Sequence, residues 1–400
     1  MGLIALFCAL AALIPGYADL RFRRGDSAGI ASALRLAPLN ADYLAQWSLV
    51  TDDRNQSVES LRRAVASNPY YSWAWIQLAL TSPDANSSES AERDLLKAAS
   101  VDRGFAPRWA LANYYYGRGA ASQSFWYWTR EALASLDPGR DDASALTAIR
   151  LAWRMSPDAA TLLSRAIPST PRSRHQFLKF LMSEHPLEAP FATVSGLLST
   201  AVPDDVPALD SWTAALRNAG DAASSTALWN RLCSQHLLPF PPLGADPNNL
   251  LTNAAFSTPP SGRTFDWRLF PTTGIEPLAD PPTAGFSFTL SGDQPERWRL
   301  LSQTVPVQPG ATYVLSYRMQ PDIRSGADGL LWRAVEGSGT EKLLAAAGAA
   351  ASTLQFTPTG PFVTVALDYA RPRGETPLRG SVRVDSLRLR QLSPPQVTPR

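Results

Sequence analysis

Between residues 26 and 137 the apolar positions recur every three or four residues, the spacing that stacks side chains on one face of a helix. SALRLAPLNADYLAQW, SLRRAVASNPYYSWAWIQLAL, DLLKAASVDRGFAPRWALANYYYG and WTREALASLDP share one layout. A helix closes on an alanine, a loop that often holds proline follows, and an aromatic-rich helix comes next. From residue 138 to 238 the helical spacing persists, as in SALTAIRLAWRM, RHQFLKFLM, ATVSGLLSTAV and SWTAALRNAGDAASSTALWNRL, but the regular period is lost. Prolines at 157, 168, 171, 186, 190, 203 and 207 mark the joints. LPFPPLGADPNN then predicts a linker over 239–249, too rich in proline for the interior of a helix or strand.

Past the linker the period falls to two. GFSFTL, WRLLSQTV, TYVLSYRM, LLWRAV, FVTVALDY and SVRVDSLRL are short alternating runs between Pro/Gly turns, the pattern of a β-sandwich over 250–392. Pro309-Gly310 suits a type II turn, after which Tyr313, Leu315 and Tyr317 share one strand face. In FDWRL, alternation predicts an opening strand with Phe265, Trp267 and Leu269 turned into the core and Asp266 and Arg268 outward as a pair. In SVRVDSLRL, Val382 and Val384 take one parity and Leu387 and Leu389 the other, which predicts a bulge at Asp385-Ser386. Residues 393–400 read as a disordered tail.

The alanines that close the helix before each loop, Ala33, Ala64, Ala98 and Ala132, are 31, 34 and 34 residues apart. With Trp75, Leu78 and Ala79 in W-x-x-L-G positions, Leu61, Ala64 and Pro69 closing the unit before them, and Trp109 and Tyr116 in the next, the segment resembles tetratricopeptide repeats (TPRs). The resemblance implies about three repeats over 26–137, degenerate helical repeats over 138–238, and a superhelix whose first helices line a concave surface. NLLTNAAF, QTVPVQPGATYVLSYRM and GSVRVDSLRLRQL together resemble the jelly rolls of carbohydrate-binding modules and galactose-binding-like domains. The expected fold is thus multidomain, an all-α TPR-like superhelix followed by an all-β jelly-roll sandwich.

Composition narrows the function classes. A net charge of +2 with scattered basic residues gives no footprint for nucleic acid. The two cysteines, Cys8 and Cys233, make no disulfide framework. Residues 1–18, MGLIALFCALAALIPGYA, carry no charged side chain and read as a signal peptide or membrane anchor, placing the rest of the chain in the periplasm or elsewhere outside the cytoplasm. No Lys or Arg precedes this apolar run, and Arg21, Arg23 and Arg24 follow it, a charge order that opposes export. Twelve tryptophans in 400 residues point to large packed or stacking surfaces.

Catalytic motifs are missing from the sequence. His175, His185 and His236 have no metal-ligand spacing, and there is no G-x-S-x-G and no phosphate-cradling glycine loop. A non-enzymatic protein without a cofactor is expected. The jelly-roll resemblance implies one candidate metal ligand, Asp385, for a structural calcium; Ser257 stands where an early acidic partner is usual. Tyr70, Tyr71, Trp73, Tyr114, Tyr115 and Trp126 are the candidate partner groove, and Trp298, Trp332 and Tyr369 are candidate glycan-stacking residues. Trp73 lies two positions before Trp75, so the two must point apart on one helix. The expected function is a scaffold, exported or membrane-anchored, that binds a protein partner, an architecture resembling anchored repeat proteins of surface-polysaccharide assembly. The alternative is a carbohydrate-binding protein acting through the jelly roll.

Overall fold

The computed structural model describes residues 14–82, 88–118, 123–136, 141–185, 191–279, 285–323, 329–337, 340–348 and 351–392. Most of the leader segment and the whole 393–400 tail lie outside them. The chain divides into two compact units, Met1–Phe180 and Leu181–Arg400.

The first unit is helical. A helix over 14–22 (α1) is followed by α2 (Ser27–Leu36), α3 (Ala41–Val50), α4 (Arg54–Ser67), α5 (Ser72–Thr81), α6 (Ser88–Val101), α7 (Phe105–Tyr116), α8 (Gln123–Ala134), α9 (Asp142–Met155), α10 (Ala159–Arg165) and α11 (Pro171–Glu184). The starts are set by short polar side chains. Asp26, Asn40, Asp53 and Asp158 each accept a backbone N–H of the first turn, satisfying donors that the helix itself cannot. Successive helices pack on one another, α3 on α4, α4 on α5, α5 on α6, α6 on α7 and α7 on α8, and α5 also reaches α7.

Helix α5 shows why the array is continuous. Its Ala74 and Leu78 join Leu44, Ala45, Leu61 and Ala64 in one core, whereas its Ile76 and Ala79 join Ala91, Leu95, Ala98 and Leu111 in the next. Trp75 packs against both. Each hairpin therefore completes the core of its neighbour, the arrangement of a stacked repeat. The four spaced alanines, Ala33, Ala64, Ala98 and Ala132, sit on α2, α4, α6 and α8 and are fully buried, as the small-residue reading expects. Ala18 of α1 is buried with Ala33 and Tyr43, and Asp19 accepts the Tyr43 hydroxyl at 2.7 Å, so the end of the 1–18 segment packs with the first hairpin.

The second unit begins within the last turn of α11 and joins α12 (Phe191–Ser195), α13 (Val206–Asn218) and α14 (Ala222–Ser234) to a β-sandwich. The strands are β1 (Arg268–Leu269), β2 (Ile275–Ala279), β3 (Phe286–Leu290), β4 (Arg297–Pro306), β5 (Tyr313–Ile323), β6 (Leu330–Glu336), β7 (Lys342–Gly348), β8 (Thr353–Phe356), β9 (Phe362–Ala370) and β10 (Gly380–Gln391). They form two antiparallel five-stranded sheets ordered β1-β4-β9-β6-β7 and β2-β3-β10-β5-β8. Between them lies one apolar core that includes Trp267, Phe288, Leu315, Trp332, Val365 and Val384. The all-α plus β-sandwich class is what the two periodicities predict.

The Pro-rich 239–249 segment forms neither helix nor strand, in keeping with its composition. It is nonetheless packed. Phe240 stacks on Trp229 of α14 at 5.9 Å, and the Asn230 side chain both donates to the Leu243 carbonyl and accepts its N–H, at 3.2 and 2.6 Å.

Candidate functional site

In the helical unit, the candidate groove residues separate by burial. Tyr70 is 79% exposed, and Tyr71, Trp73, Tyr114 and Tyr115 are half-buried. Trp73 stacks on Tyr71 with centroids 6.1 Å apart, while Trp75 donates its indole N–H to the Pro69 carbonyl at 3.0 Å. Both tryptophans nonetheless pack against the core of Leu44, Leu61, Ala64 and Leu78, and only Trp75 reaches the next core as well. The Tyr115 hydroxyl donates to Glu92 at 2.5 Å, and burial together with that carboxylate pushes its pKa up to about 12. Trp126 is a correction. It is 5% exposed, packed edge-on against Phe125 at 5.0 Å, so it has no face to offer a partner. Its helix buries Phe125, Trp126, Thr129, Ala132 and Leu133, a stripe at helical spacing.

Residues that sequence reasoning passed over are exposed instead. Leu49 of α3 is 54% exposed and Leu80 of α5 is 65% exposed, and Leu39, just before α3, is 69% exposed. With Tyr70 they leave large apolar side chains in water on or beside the first helices of two successive hairpins. Isolated exposed leucines are ordinary. Their recurrence in successive repeats is the notable point.

In the sandwich, FDWRL departs from its alternation. Only Arg268 and Leu269 are in strand, and Phe265, Asp266 and Trp267 are all buried, with exposures of 0%, 2% and 0%. The cause is a tight turn. The Asp266 carboxylate accepts the Ser261 N–H at 2.6 Å and the Ser261 hydroxyl at 2.7 Å through Oδ2, and the Gly262 N–H reaches the Trp267 carbonyl at 3.0 Å. Gly262 adopts φ 71°, the left-handed region that favours glycine. Curled in this way, the chain sends Trp267 into the sandwich core and Phe265 against Trp229 and Phe362. The outward Asp266–Arg268 pair does not form. Thr264 fastens the same turn to α13, its N–H donating to Asp210 Oδ1 at 3.0 Å and its hydroxyl to the Asp210 carbonyl at 3.1 Å.

A cavity of about 640 Å³ opens beside this turn, between the end of α13 and the sheet that contains β4, β6 and β9. Arg217, Arg263 and Arg268 stand on one side, and Ser302, Thr304 and Thr364 on the sheet. Burial pushes the Arg217 guanidinium below its ordinary range, and the nearby Arg268 charge adds to this against the pull of Asp210. Burial likewise pushes the Asp266 carboxyl up, opposed by the Ser261 donors. Glu336 and Glu341 at the far wall are committed. Burial raises Glu336, but Gly360 N–H at 2.8 Å and the hydroxyl and N–H of Thr359 outweigh it and hold the carboxyl below its usual value. Glu341 is lowered by Arg299, which binds it at 2.5 and 2.9 Å.

The other sandwich candidates are corrected. Trp332 and Tyr369 are 0% and 1% exposed and belong to the core, so neither can stack on a glycan. Trp298 remains 36% exposed, its indole N–H donating to the Phe270 carbonyl at 2.7 Å. Asp385 does sit at a bulge. The β10–β5 register shifts between Asp385 and Arg388, and Ser386 takes φ 56°. Its carboxylate, however, meets Arg318 at 2.7 Å, Gln320 at 3.2 Å and Arg383 at 4.0 Å. Calcium needs six to eight oxygen ligands, and this carboxylate faces cations and an amide donor. Among the described residues, no cluster of His, Cys, Asp or Glu is suited to hold a metal ion.

No family model and no curated protein matches the chain. Among solved structures it is similar to accessory secretory protein 1,2 and 3 of Streptococcus pneumoniae, at 12% identity and TM-score 0.24, over 30% of this chain and 88% of that one. It is also similar to the TPR domain of P58(IPK), at 13% identity and TM-score 0.23, over 57% of this chain and 61% of that one, so it spans less than two thirds of that domain.

Proposed function

We propose that this chain is a non-enzymatic scaffold whose TPR-like array binds a protein partner. The observation that carries the reading is the recurrence of exposed leucines, Leu49 on α3 and Leu80 on α5, beside the exposure of Tyr70 and the half-burial of Trp73. Burying such side chains contributes roughly 1.5–3 kcal/mol each, enough for a few of them to anchor a partner segment. The apolar 1–18 segment supports export or anchoring, and the pairing of a repeat array with a sandwich supports a place in surface-polysaccharide assembly. Among the described residues no helix is long and apolar enough to cross a membrane, so anchoring would fall to residues within 1–18. The test is chemical crosslinking in the producing cell with the wild-type chain and with Leu49→Asp/Leu80→Asp. One protein crosslinked to the wild type and lost from an equally stable variant supports the reading; a crosslinking pattern unchanged by the substitutions sinks it.

A second reading, carbohydrate binding by the sandwich unit, draws on the arginine-rimmed cavity.

A further inference from the structure

Helix α1 has two unlike faces. Ala18 is fully buried, Phe22 packs beside it with its ring 4.7 Å from that of Tyr43, and Asp19 accepts the Tyr43 hydroxyl at 2.7 Å. Tyr17 and Leu20 fall on the opposite side at helical spacing and are 47% and 60% exposed. Ile14, one turn before Ala18, is 44% exposed. Single exposed apolar side chains are ordinary, but three this close in one short helix make a patch. Arg21, Arg23 and Arg24 follow at once. Arg21 lies over the Tyr17 ring at 5.0 Å and donates to its hydroxyl at 2.8 Å through Nε, while Arg23 and Arg24 are exposed. The two acids of the stretch are turned to internal donors, Asp19 to Tyr43 and Asp26 to the Gly29 N–H at 2.6 Å. Gly25, at φ 71°, then turns the chain towards α2 and leaves the arginines at the end of α1.

What covers this patch is indicated by the chain that leads into it. Residues 1–13, MGLIALFCALAAL, carry no charged side chain and join α1 directly at Ile14. An apolar medium that takes up that run lies beside Ile14, Tyr17 and Leu20 by connectivity alone. The arginines require negative charge at the boundary of the same medium. A phospholipid surface supplies both, with tyrosine favoured at headgroup level and arginine on the phosphates. A second copy of the chain fits less well, because a symmetric contact would set each arginine cluster against its twin. We propose that α1 is a membrane-docking surface. Ile14, Tyr17 and Leu20 enter the boundary of an anionic phospholipid leaflet, and Arg21, Arg23 and Arg24 bind its phosphates. Ala18, Phe22 and Asp19 then hold the first hairpin at that surface. The inference rests on the anchoring part of the proposed function and deepens it, whereas the leucines of α3 and α5 take no part in it.

The test is vesicle binding by the full chain, with phosphatidylcholine alone and with about a quarter of it replaced by phosphatidylglycerol. Cys8→Ser/Leu20→Cys carries an environment-sensitive fluorophore at position 20. The Cys233 thiol, buried and pushed up to about 12, stays unlabelled. Cys8→Ser/Leu80→Cys, labelled at an exposed position of α5, is the control. With anionic vesicles the label at position 20 brightens and shifts to the blue, and the label at position 80 does not. Each arginine near such a surface contributes about fivefold to partitioning, so Arg23→Gln/Arg24→Gln lowers binding to anionic vesicles by about tenfold or more. Binding to phosphatidylcholine alone is unchanged by that pair, and so is the melting temperature, since both side chains are exposed. A chain that pellets with vesicles while position 20 stays silent overturns the docking of α1 and leaves anchoring to residues 1–13. A chain that pellets with neither vesicle overturns docking and anchoring together. Equal binding of wild type and the arginine variant to anionic vesicles also overturns the proposal, because the phosphate contacts are then absent.

Discussion

The Phe265 ring stands edge-on to the Trp229 indole, centroids 5.5 Å apart and planes at 86°. Phe265 also stacks on Phe362 of β9 at 6.1 Å, so a single ring links α14 to the sheet. Trp267, two residues on, serves only the sandwich core, where it meets Trp332 at 6.3 Å. The two substitutions should therefore differ in kind. Phe265→Ala and Trp267→Ala each remove a fully buried aromatic, at roughly 3–5 kcal/mol. Only Phe265→Ala should increase hydrogen exchange in α13 and α14. Equal protection of those helices in both variants would refute the linking role.

Asp266 and Glu336 respond to pH in opposite directions. The Asp266 carboxyl is raised by burial, so its contribution is fully present below the ordinary aspartate pKa of about 4 and is lost as pH rises through its folded value. Glu336 is held low, so its contribution is present above about pH 4.3 and lost as pH falls through its folded value. Asp266→Asn should then gain stability relative to wild type between pH 4 and pH 7, while the deficit of Glu336→Gln should stay constant above about pH 4.3 and shrink as pH falls below it. Melting temperatures at the two pH values decide it. A constant difference for Asp266→Asn across the interval would mean that the carboxyl is not raised.

Much of this fold is written locally. The 34-residue alanine spacing places small side chains where second helices pack, and all four are buried. The parity switch around Asp385 signals its bulge because Val382, Val384, Leu387 and Leu389 must all reach the core despite their spacing, and they do. What failed was local too, but decided from afar. FDWRL alternates like a strand, yet Phe265, Asp266 and Trp267 are all buried because α14, the Ser261 turn and the sandwich core each take one of them. The cavity arginines come from two stretches of chain, Arg217 from α13 and Arg263 and Arg268 from the turn, and no spacing rule brings those together. Trp332 shares parity with Leu330 and Ala334, all fully buried, so its place in the core was legible and was outweighed by an expectation about sugar-stacking tryptophans.

Arg299 is the centre of an ion network on the outer face of one sheet. It donates to Asp368 at 2.9 and 3.4 Å and to Glu341 at 2.5 and 2.9 Å, and Arg333 reaches Asp368 at 2.9 Å. Arg299→Ala leaves Asp368, 8% exposed, with one cation instead of two. Hydrogen bonds to charged groups contribute about 1.5–3 kcal/mol, and the partly exposed setting puts the loss at the lower end. Urea denaturation should show a cost of about 1–2 kcal/mol with an unchanged m-value. The double substitution Arg299→Ala/Asp368→Asn should cost less than the sum of the two singles. Strict additivity would show that the pair is not coupled.

Calcium offers the sharpest check on the Asp385 bulge. Arg318, Arg383 and Gln320 surround the carboxylate, so a divalent cation would have to displace two guanidiniums to bind there. Adding millimolar calcium to the full chain should leave its melting temperature unchanged. Asp385→Asn should weaken the hold on Arg318 while leaving the bulge in place, because β10 must still bring Val384 and Leu387 to the core. Asp385→Ala in the same assay would lower stability with or without calcium to the same extent. If instead calcium raised the melting temperature of the wild type and not of Asp385→Ala, the carboxylate would have to be reassigned from arginine partner to metal ligand.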